Sequence, residues 1–393
     1  MKIIYIAGTL LIGTGRLAAG LAPLGEHVDI LWTYMSATDQ WTGQAKTAGT
    51  GGDVMWEFDD VFFPLSDKPY SATTPSNSGA RNTQPSSSAY AFTGVAEGEP
   101  LWIAVQGTPG VGEVWPGFEN NQAAGTLGSY FETDTRLPQP QTTAREWITV
   151  HLKNVSYQGT GANPAFSVWT VSGGVPRVWM ATADGIGEDD LHLFAIPSHN
   201  HVNWGFGALG IYRIQITATA YKGPGQTNPT AESEIHTLTF AVGPFARWQA
   251  ENFSSSELDS PAISGPNADP DKDGMVNLVE FAFGFDPESG VATPVAEGLG
   301  LPKLSVVEDA GEFFEVLEYP RRRAGSLISP LIYSPQFSAS FDWQSDGVIT
   351  TTDDFPSGQD ALNEEWELVT SRRPVGISAP ARGFARVELK NEE

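Results

Sequence analysis

Two of the six histidines in this 393-residue chain stand at i and i+2, in Ser198-His199-Asn200-His201-Val202-Asn203-Trp204-Gly205-Phe206. On a β-strand that spacing puts both imidazoles on one face. Neutral imidazole is the commonest metal ligand in proteins. His27-Val28-Asp29 has the same geometry. Two such pairs on two strands can close a three- or four-ligand site from His27, Asp29, His199 and His201. A nitrogen-rich set of this kind suits zinc (Zn2+) or copper(II) (Cu2+). Asn203 falls on the same face of an unbroken strand and is a candidate to fix an imidazole tautomer from the outer shell. Trp204 and Phe206 then face the core. The alternative is that these histidines bond backbone groups at a sheet edge and hold no ion. His151, His192 and His236 sit alone in strand patterns and read as surface or half-buried residues.

A second constellation is hard and oxygen-rich. Asp269-Pro270-Asp271-Lys272-Asp273-Gly274-Met275-Val276-Asn277-Leu278-Val279-Glu280 fits D-x-[DN]-x-[DN]-G-x5-E at every fixed position. Calcium (Ca2+) takes six to eight oxygens on a tight loop. Asp269, Asp271 and Asp273 fill positions 1, 3 and 5, and Met275 offers a backbone carbonyl at position 7. Asn277 stands at position 9 and Glu280 supplies the bidentate carboxylate at position 12. Gly274 permits the sharp turn. A sensor would need a paired hand that opens, and one copy is evident. The expectation is a structural calcium clamp between domains, against the bland reading of a solvated acidic turn.

The frame for these residues follows from composition. A chain this long is expected to form two or three domains. There are 47 acidic and 22 basic residues, a formal net charge of −25. That opposes nucleic acid, whose affinity rests on Lys and Arg neutralising phosphates, and anionic membrane surfaces. It favours cations. Forty-two glycines, 28 prolines and 12 tryptophans, with only 18% charged residues, describe a turn-rich all-β extracellular protein. Cysteine is absent, which removes disulfides and thiolate chemistry. Met1–Gly20 reads as a secretory signal: Lys2, an apolar Ile3–Ile12 and small residues Ala18-Ala19-Gly20, with Arg16 atypical. Gly13-Thr14-Gly15-Arg16-Leu17-Ala18 mimics a dinucleotide fingerprint, but no helix pattern follows it. No stretch is long and apolar enough for a transmembrane helix.

Residues 21–244 read as many short strands punctuated by turns, which predicts an immunoglobulin-like β-sandwich. Residues 66–90 read as a long loop, and Ala91–Val95 as a strand. Tyr212-Arg213-Ile214-Gln215-Ile216-Thr217 alternates as a half-buried strand does, and Tyr212 is placed to bond back to the loop before it. Residues 245–290 form a helix–calcium loop–helix linker, with helices over Phe245–Leu258 and Met275–Phe285, the latter capped by Gly284. Residues 291–393 return to strands and form a small C-terminal β-domain.

His27-Val28-Asp29-Ile30, a Trp115-Pro116-Gly117 turn, Phe166-Ser167-Val168-Trp169 with Ala183-Asp184-Gly185, and the His199–Phe206 segment resemble the choice-of-anchor M domain over roughly residues 24–243. That family is related to the actinobacterial surface-anchored repeat. The resemblance implies an exported, β-rich bacterial module, with some relatives linked to metal-type ABC transporters. Trp56-Glu57-Phe58-Asp59-Asp60 stands where relatives carry further histidines. Residues 246–290 resemble the dockerin- or thrombospondin-3-like calcium linker of exported Verrucomicrobia and Planctomycetes proteins. Tyr319-Pro320-Arg321-Arg322-Arg323 resembles their C-terminal domain. The functional expectation is a secreted, periplasmic or cell-surface metal binder. The alternative is a structural or adhesive module that contacts surface polymers, glycans or other surface proteins. No G-x-S-x-G, H-E-x-x-H or cysteine–histidine pattern points to an enzyme. A catalytic metal would need three protein ligands and an open position.

Overall fold

The computed structural model describes residues 20–70, 79–291, 294–323, 331–338, 349–350, 354–362, 365–375 and 384–391. Apart from Gly20, the stretch expected as a secretory signal and the fingerprint-like stretch lie outside them. The described chain is mainly β and forms several sheets. In the first domain the largest sheet runs in the order Ala22–Pro23, Val61–Leu65, His236–Val242, Gly210–Gly223, Arg145–Gln158, Leu191–Ala195. A five-stranded sheet runs Val175–Ala181, Phe166–Ser172, Asn203–Phe206, Pro100–Ala104, Arg81–Thr83. A second five-stranded sheet runs Ser198–His201, Trp115–Asn120, His27–Met35, Gln40–Gly49, Gly52–Trp56. One apolar cluster joins all three, with Trp32, Phe118, Phe166, Trp204, Phe206, Ile214 and Phe240 fully buried.

Several local expectations are corrected. Trp115-Pro116-Gly117 is not a turn but the start of a strand. Ala91–Val95 is not a strand; Ser88–Thr93 forms a 3-10 helix that ends at Gly94 with φ of 69°. The 66–90 stretch is not all loop, since Arg81–Thr83 pairs with Pro100–Ala104. The Gly210–Gly223 strand is not half-exposed: Arg213 is 7% exposed. Its outer face is covered by Ala246, Ala250, Phe253 and Leu258, which pack on Ile211, Ala241 and Phe62. Arg213 reaches into this layer and donates to Asp259, Ser255 and Thr239. Tyr212 does bond back, its hydroxyl donating to Ala208 O at 3.1 Å and accepting from Ala208 N at 3.0 Å.

The stretch expected as one helix is broken. Pro244–Asn252 ends where Phe253 turns extended. Ser254 and Glu257 then form a reciprocal capping box that starts Ser255–Leu258. A single turn, Pro261–Ser264, precedes the acidic loop. The next helix spans Asn277–Phe283, and Gly284 caps it in the left-handed region at φ 76°. Phe281, Ala282, Phe283 and Phe285 enter a separate core with Leu317, Tyr319, Leu331, Phe337 and Val369 of the C-terminal sheets. Arg322 Nε donates to Phe281 O and Tyr333 Oη to Ala282 O. The acidic loop is thus joined directly to an element of the C-terminal core.

Candidate metal centre

The Trp115–Asn120 strand is the template of the histidine site. It runs parallel to His27–Met35 on one side and antiparallel to Ser198–His201 on the other. Gly117 is the cross-strand partner of both Asp29 and His201, His27 pairs with Trp115, and His199 with Glu119. The two H-x-[HD] pairs lie two strands apart and must reach over the middle strand, roughly 9–10 Å in all. Glycine at the crossing leaves the room. A Cβ on Gly117 would stand 2.9 Å from His201 Cε1 and Nδ1.

The four predicted side chains meet. One ligand atom from each of His27, Asp29, His199 and His201 lies within 4.8 Å of all the others. His27 Nε2 is 3.2 Å from His199 Nε2 and 3.1 Å from His201 Nε2. Asp29 Oδ1 is 2.8 Å from His199 Nε2 and 3.8 Å from His27 Nε2. Ligand atoms on a tetrahedron about 2.0–2.1 Å from an ion stand roughly 3.3 Å apart, and these separations scatter around that edge. Proton sharing satisfies the cluster poorly. A ring nitrogen offers one proton or one lone pair in one direction, so His27 Nε2 can make one good bond of its two contacts. The 2.8 Å approach of His199 lacks hydrogen-bond geometry, and Asp29 Oδ1 is buried without a hydrogen-bond partner. A buried orphan carboxylate oxygen among three imidazole nitrogens fits a bound dication.

The surroundings orient these groups. Trp115 stacks on His201 with centroids 3.9 Å apart at 15°, and meets His27 edge-on at 5.4 Å. Burial pushes the His201 imidazolium down to about 4, with the charges of His199 and His27 adding to the shift and the Pro116 backbone opposing it. His201 is therefore neutral at pH 7, with a lone pair to give. Lys46, the cross-strand partner of Asp29, places its ammonium 3.4 Å from Asp29 Oδ2 and also contacts Glu119 and Asp53. Burial opposes the Lys46 charge, but the hydrogen bond to Glu119 and the charges of Glu119, Asp29 and Asp53 outweigh it and raise its pKa. His27 and His199 keep side-chain exposures of 37% and 47%, so the cluster opens to solvent on one side.

Two expectations are corrected here. Asn203 does not touch an imidazole, because the chain changes sheets at Val202 and ends the shared face. Its Oδ1 accepts from Gln106 N at 2.8 Å and its Nδ2 donates to Trp169 O at 3.3 Å. Its link to the site is indirect, since Gln106 O accepts from the Trp115 indole. His192 is not a surface or half-buried residue but 3% exposed, packed on Phe118 and Trp179. Burial holds it down to about 4, and its Nε2 meets Asn200 Oδ1 at 3.2 Å. It is a neutral core histidine behind the Ser198–His201 strand. Trp115, Gly117, Glu119 and Lys46 also border the site. The alternation of Trp115, Gly117 and Glu119 on one strand face carries the signal for this, once the segment is read as a strand rather than a turn.

In the acidic loop, Asp269, Asp271 and Asp273 bring oxygens within 4.8 Å of one another. Positive φ at Lys272 (64°) and Gly274 (95°) makes the turn, closed by Gly274 N to Asp269 and Met275 N to Asp273. Asp269 Oδ1, Asp271 Oδ2, Asp273 Oδ2, Asn277 Oδ1 and both Glu280 oxygens are buried without hydrogen-bond partners. Burial, then the charges of Asp271, Asp273 and Asp269, push Glu280 up to about 8. So many orphaned oxygens fit a calcium ion, which would take the place of absent donors. Asn277 Nδ2 donates to Ile263 O and Gly265 O, tying the loop to the preceding turn, while Met275 packs on the C-terminal core.

No family model matches the chain, and no curated protein matches it. No helix among the described residues is long and apolar enough to cross a membrane.

Proposed function

We propose that this chain is an exported bacterial surface protein that captures a transition metal, zinc or copper(II), on an immunoglobulin-like β-sandwich. His27, Asp29, His199 and His201 hold the ion. The carrying observation is the convergence of three imidazole nitrogens on one buried, unpartnered carboxylate oxygen. Four protein donors fill a tetrahedral shell, the pattern of a binding site rather than a catalytic one, which keeps a position for water or substrate. The exposed edges of His27 and His199 allow the ion to enter and leave. The 269–280 loop, flanked by helices, holds a structural calcium ion that steadies the junction with the C-terminal β-domain.

The competing reading is a structural or adhesive surface module without a transition metal. The Trp115–His201 stack and the Lys46–Asp29 pair favour it, because packing and charge pairing also hold these side chains in place. Elemental analysis of the EDTA-stripped and reconstituted protein separates the two. Transition metal near one per chain, lost in a His199→Ala/His201→Ala variant, is the expected result. Calcium alone in both proteins sinks the transition-metal reading.

A further inference from the structure

We propose that Lys46 is the positioning residue that makes this a zinc-type site, by leaving Asp29 only one oxygen for the ion. The inference rests on the metal reading above and adds the denticity of its carboxylate, and with that the coordination number.

Asp29 is enclosed, with a side-chain exposure of 2%, and its two oxygens have different neighbours. Oδ2 faces the Lys46 ammonium at 3.4 Å, while Oδ1 stands 2.8 Å from His199 Nε2 with no hydrogen bond of its own. Lys46 is not free to leave. It is the direct cross-strand partner of Asp29, its side chain is 14% exposed, and Glu119 and Asp53 anchor the same ammonium. Glu119 in turn pairs across the sheet with His199. The lysine therefore stands on a fourth strand of the same sheet, Gln40–Gly49, held in register beside the strand of Asp29.

The chemical consequence follows from ligand number. A carboxylate that offers both oxygens raises the coordination number and suits larger, hard cations such as calcium. One that offers a single oxygen beside three imidazoles completes a tetrahedral set, the arrangement of closed zinc sites, whereas copper(II) prefers a tetragonal plane. An ammonium fixed on Oδ2 opposes chelation through that oxygen and so keeps the coordination number low. Without Lys46 the freed oxygen can swing in, and the tetrahedron is lost.

The test uses Co2+ as the probe, on the full chain with its calcium restored, because tetrahedral Co2+ absorbs visible light far more strongly than five- or six-coordinate Co2+. The expected result is an intense visible band in the parent that requires His199 and His201, and falls several-fold in Lys46→Gln and Lys46→Met. An intense band unchanged in both variants overturns the Lys46 proposal and leaves the metal site standing. A weak band in the parent does the same. No band and no bound cobalt overturns both. X-ray absorption of the zinc-loaded parent decides the point without any variant. One carboxylate oxygen at bonding distance supports the proposal, and a chelating carboxylate overturns it.

Discussion

His27 and His199 stand 172 residues apart in sequence and 3.2 Å apart in space, whereas Asp269 to Glu280 form one continuous loop of the length calcium hands use. The first site is made by tertiary structure: three strands in fixed register, with a glycine at the crossing. The second is made by local backbone geometry, with positive φ at Lys272 and Gly274. They differ in electrostatics as well. Without an ion the histidine site carries little repulsion, because His201 is held neutral and Lys46 offsets Asp29. The acidic loop gathers like charges, and burial, then the charges of Asp271, Asp273 and Asp269, push Glu280 up to about 8. Removing metal should therefore leave the histidine site folded and loosen the loop. Because Phe281 and Phe283 belong to the C-terminal core, that loosening reaches the C-terminal domain.

The sharpest way to break this contrast is to remove one site and watch the other. Glu280→Gln should lower calcium affinity by roughly 100-fold or more, since affinity in such loops follows ligand charge over several decades. Zinc uptake should stay at the parental level. Isothermal titration with each ion reads both numbers, and a parallel fall in zinc affinity would show the sites to be coupled.

A smaller effect probes the crossing point. Gly117→Ala places a methyl group 2.9 Å from the His201 ring. The ring must shift, and zinc affinity should fall about tenfold, the low end of what lost outer-shell support costs a metal site. Calcium binding should not move. An unchanged zinc affinity means that the imidazole is not where the ion needs it.

A further contrast is in pH, where the two regions differ in sign. His192 titrates at about 4 when folded against 6.5 when free. Between those values the unfolded chain binds more protons, so EDTA-treated protein loses stability as pH falls from 6.5 to 4. Glu280 titrates at about 8 against 4.5 when free. There the folded chain binds more protons, so stability is lost as pH rises from 4.5 to 8. Calorimetry across this range should show His192→Leu with a shallower acid slope and Glu280→Gln with a shallower alkaline one. Saturating calcium should flatten the alkaline slope in the parent.

The two sites also differ in how far the sequence exposes them. The acidic loop is legible residue by residue, because the clustering of its carboxylates is set by local spacing and a turn that requires glycine. The histidine pairs are legible as types and spacing, but strand register decides that they meet, and no local pattern encodes it. Asn203 shows the limit. Period-two reasoning holds only within one strand, and the chain changes sheets at Val202. The β character and most strands of the first domain follow from alternation and turn residues. Burial of Arg213 does not, because it depends on a helical layer packed from residues 246–258. Lys46 was hidden for a related reason. A lone lysine in a strand carries no signal until the register sets it opposite Asp29.

The most direct test of the central claim is anomalous scattering from crystals of the full chain grown with zinc and calcium, recorded on both sides of the zinc absorption edge. The expected result is one zinc peak enclosed by His27, Asp29, His199 and His201, and no zinc signal in the 269–280 loop. Ordered histidines with no peak between them would contradict the account, as would zinc bound only elsewhere on the chain.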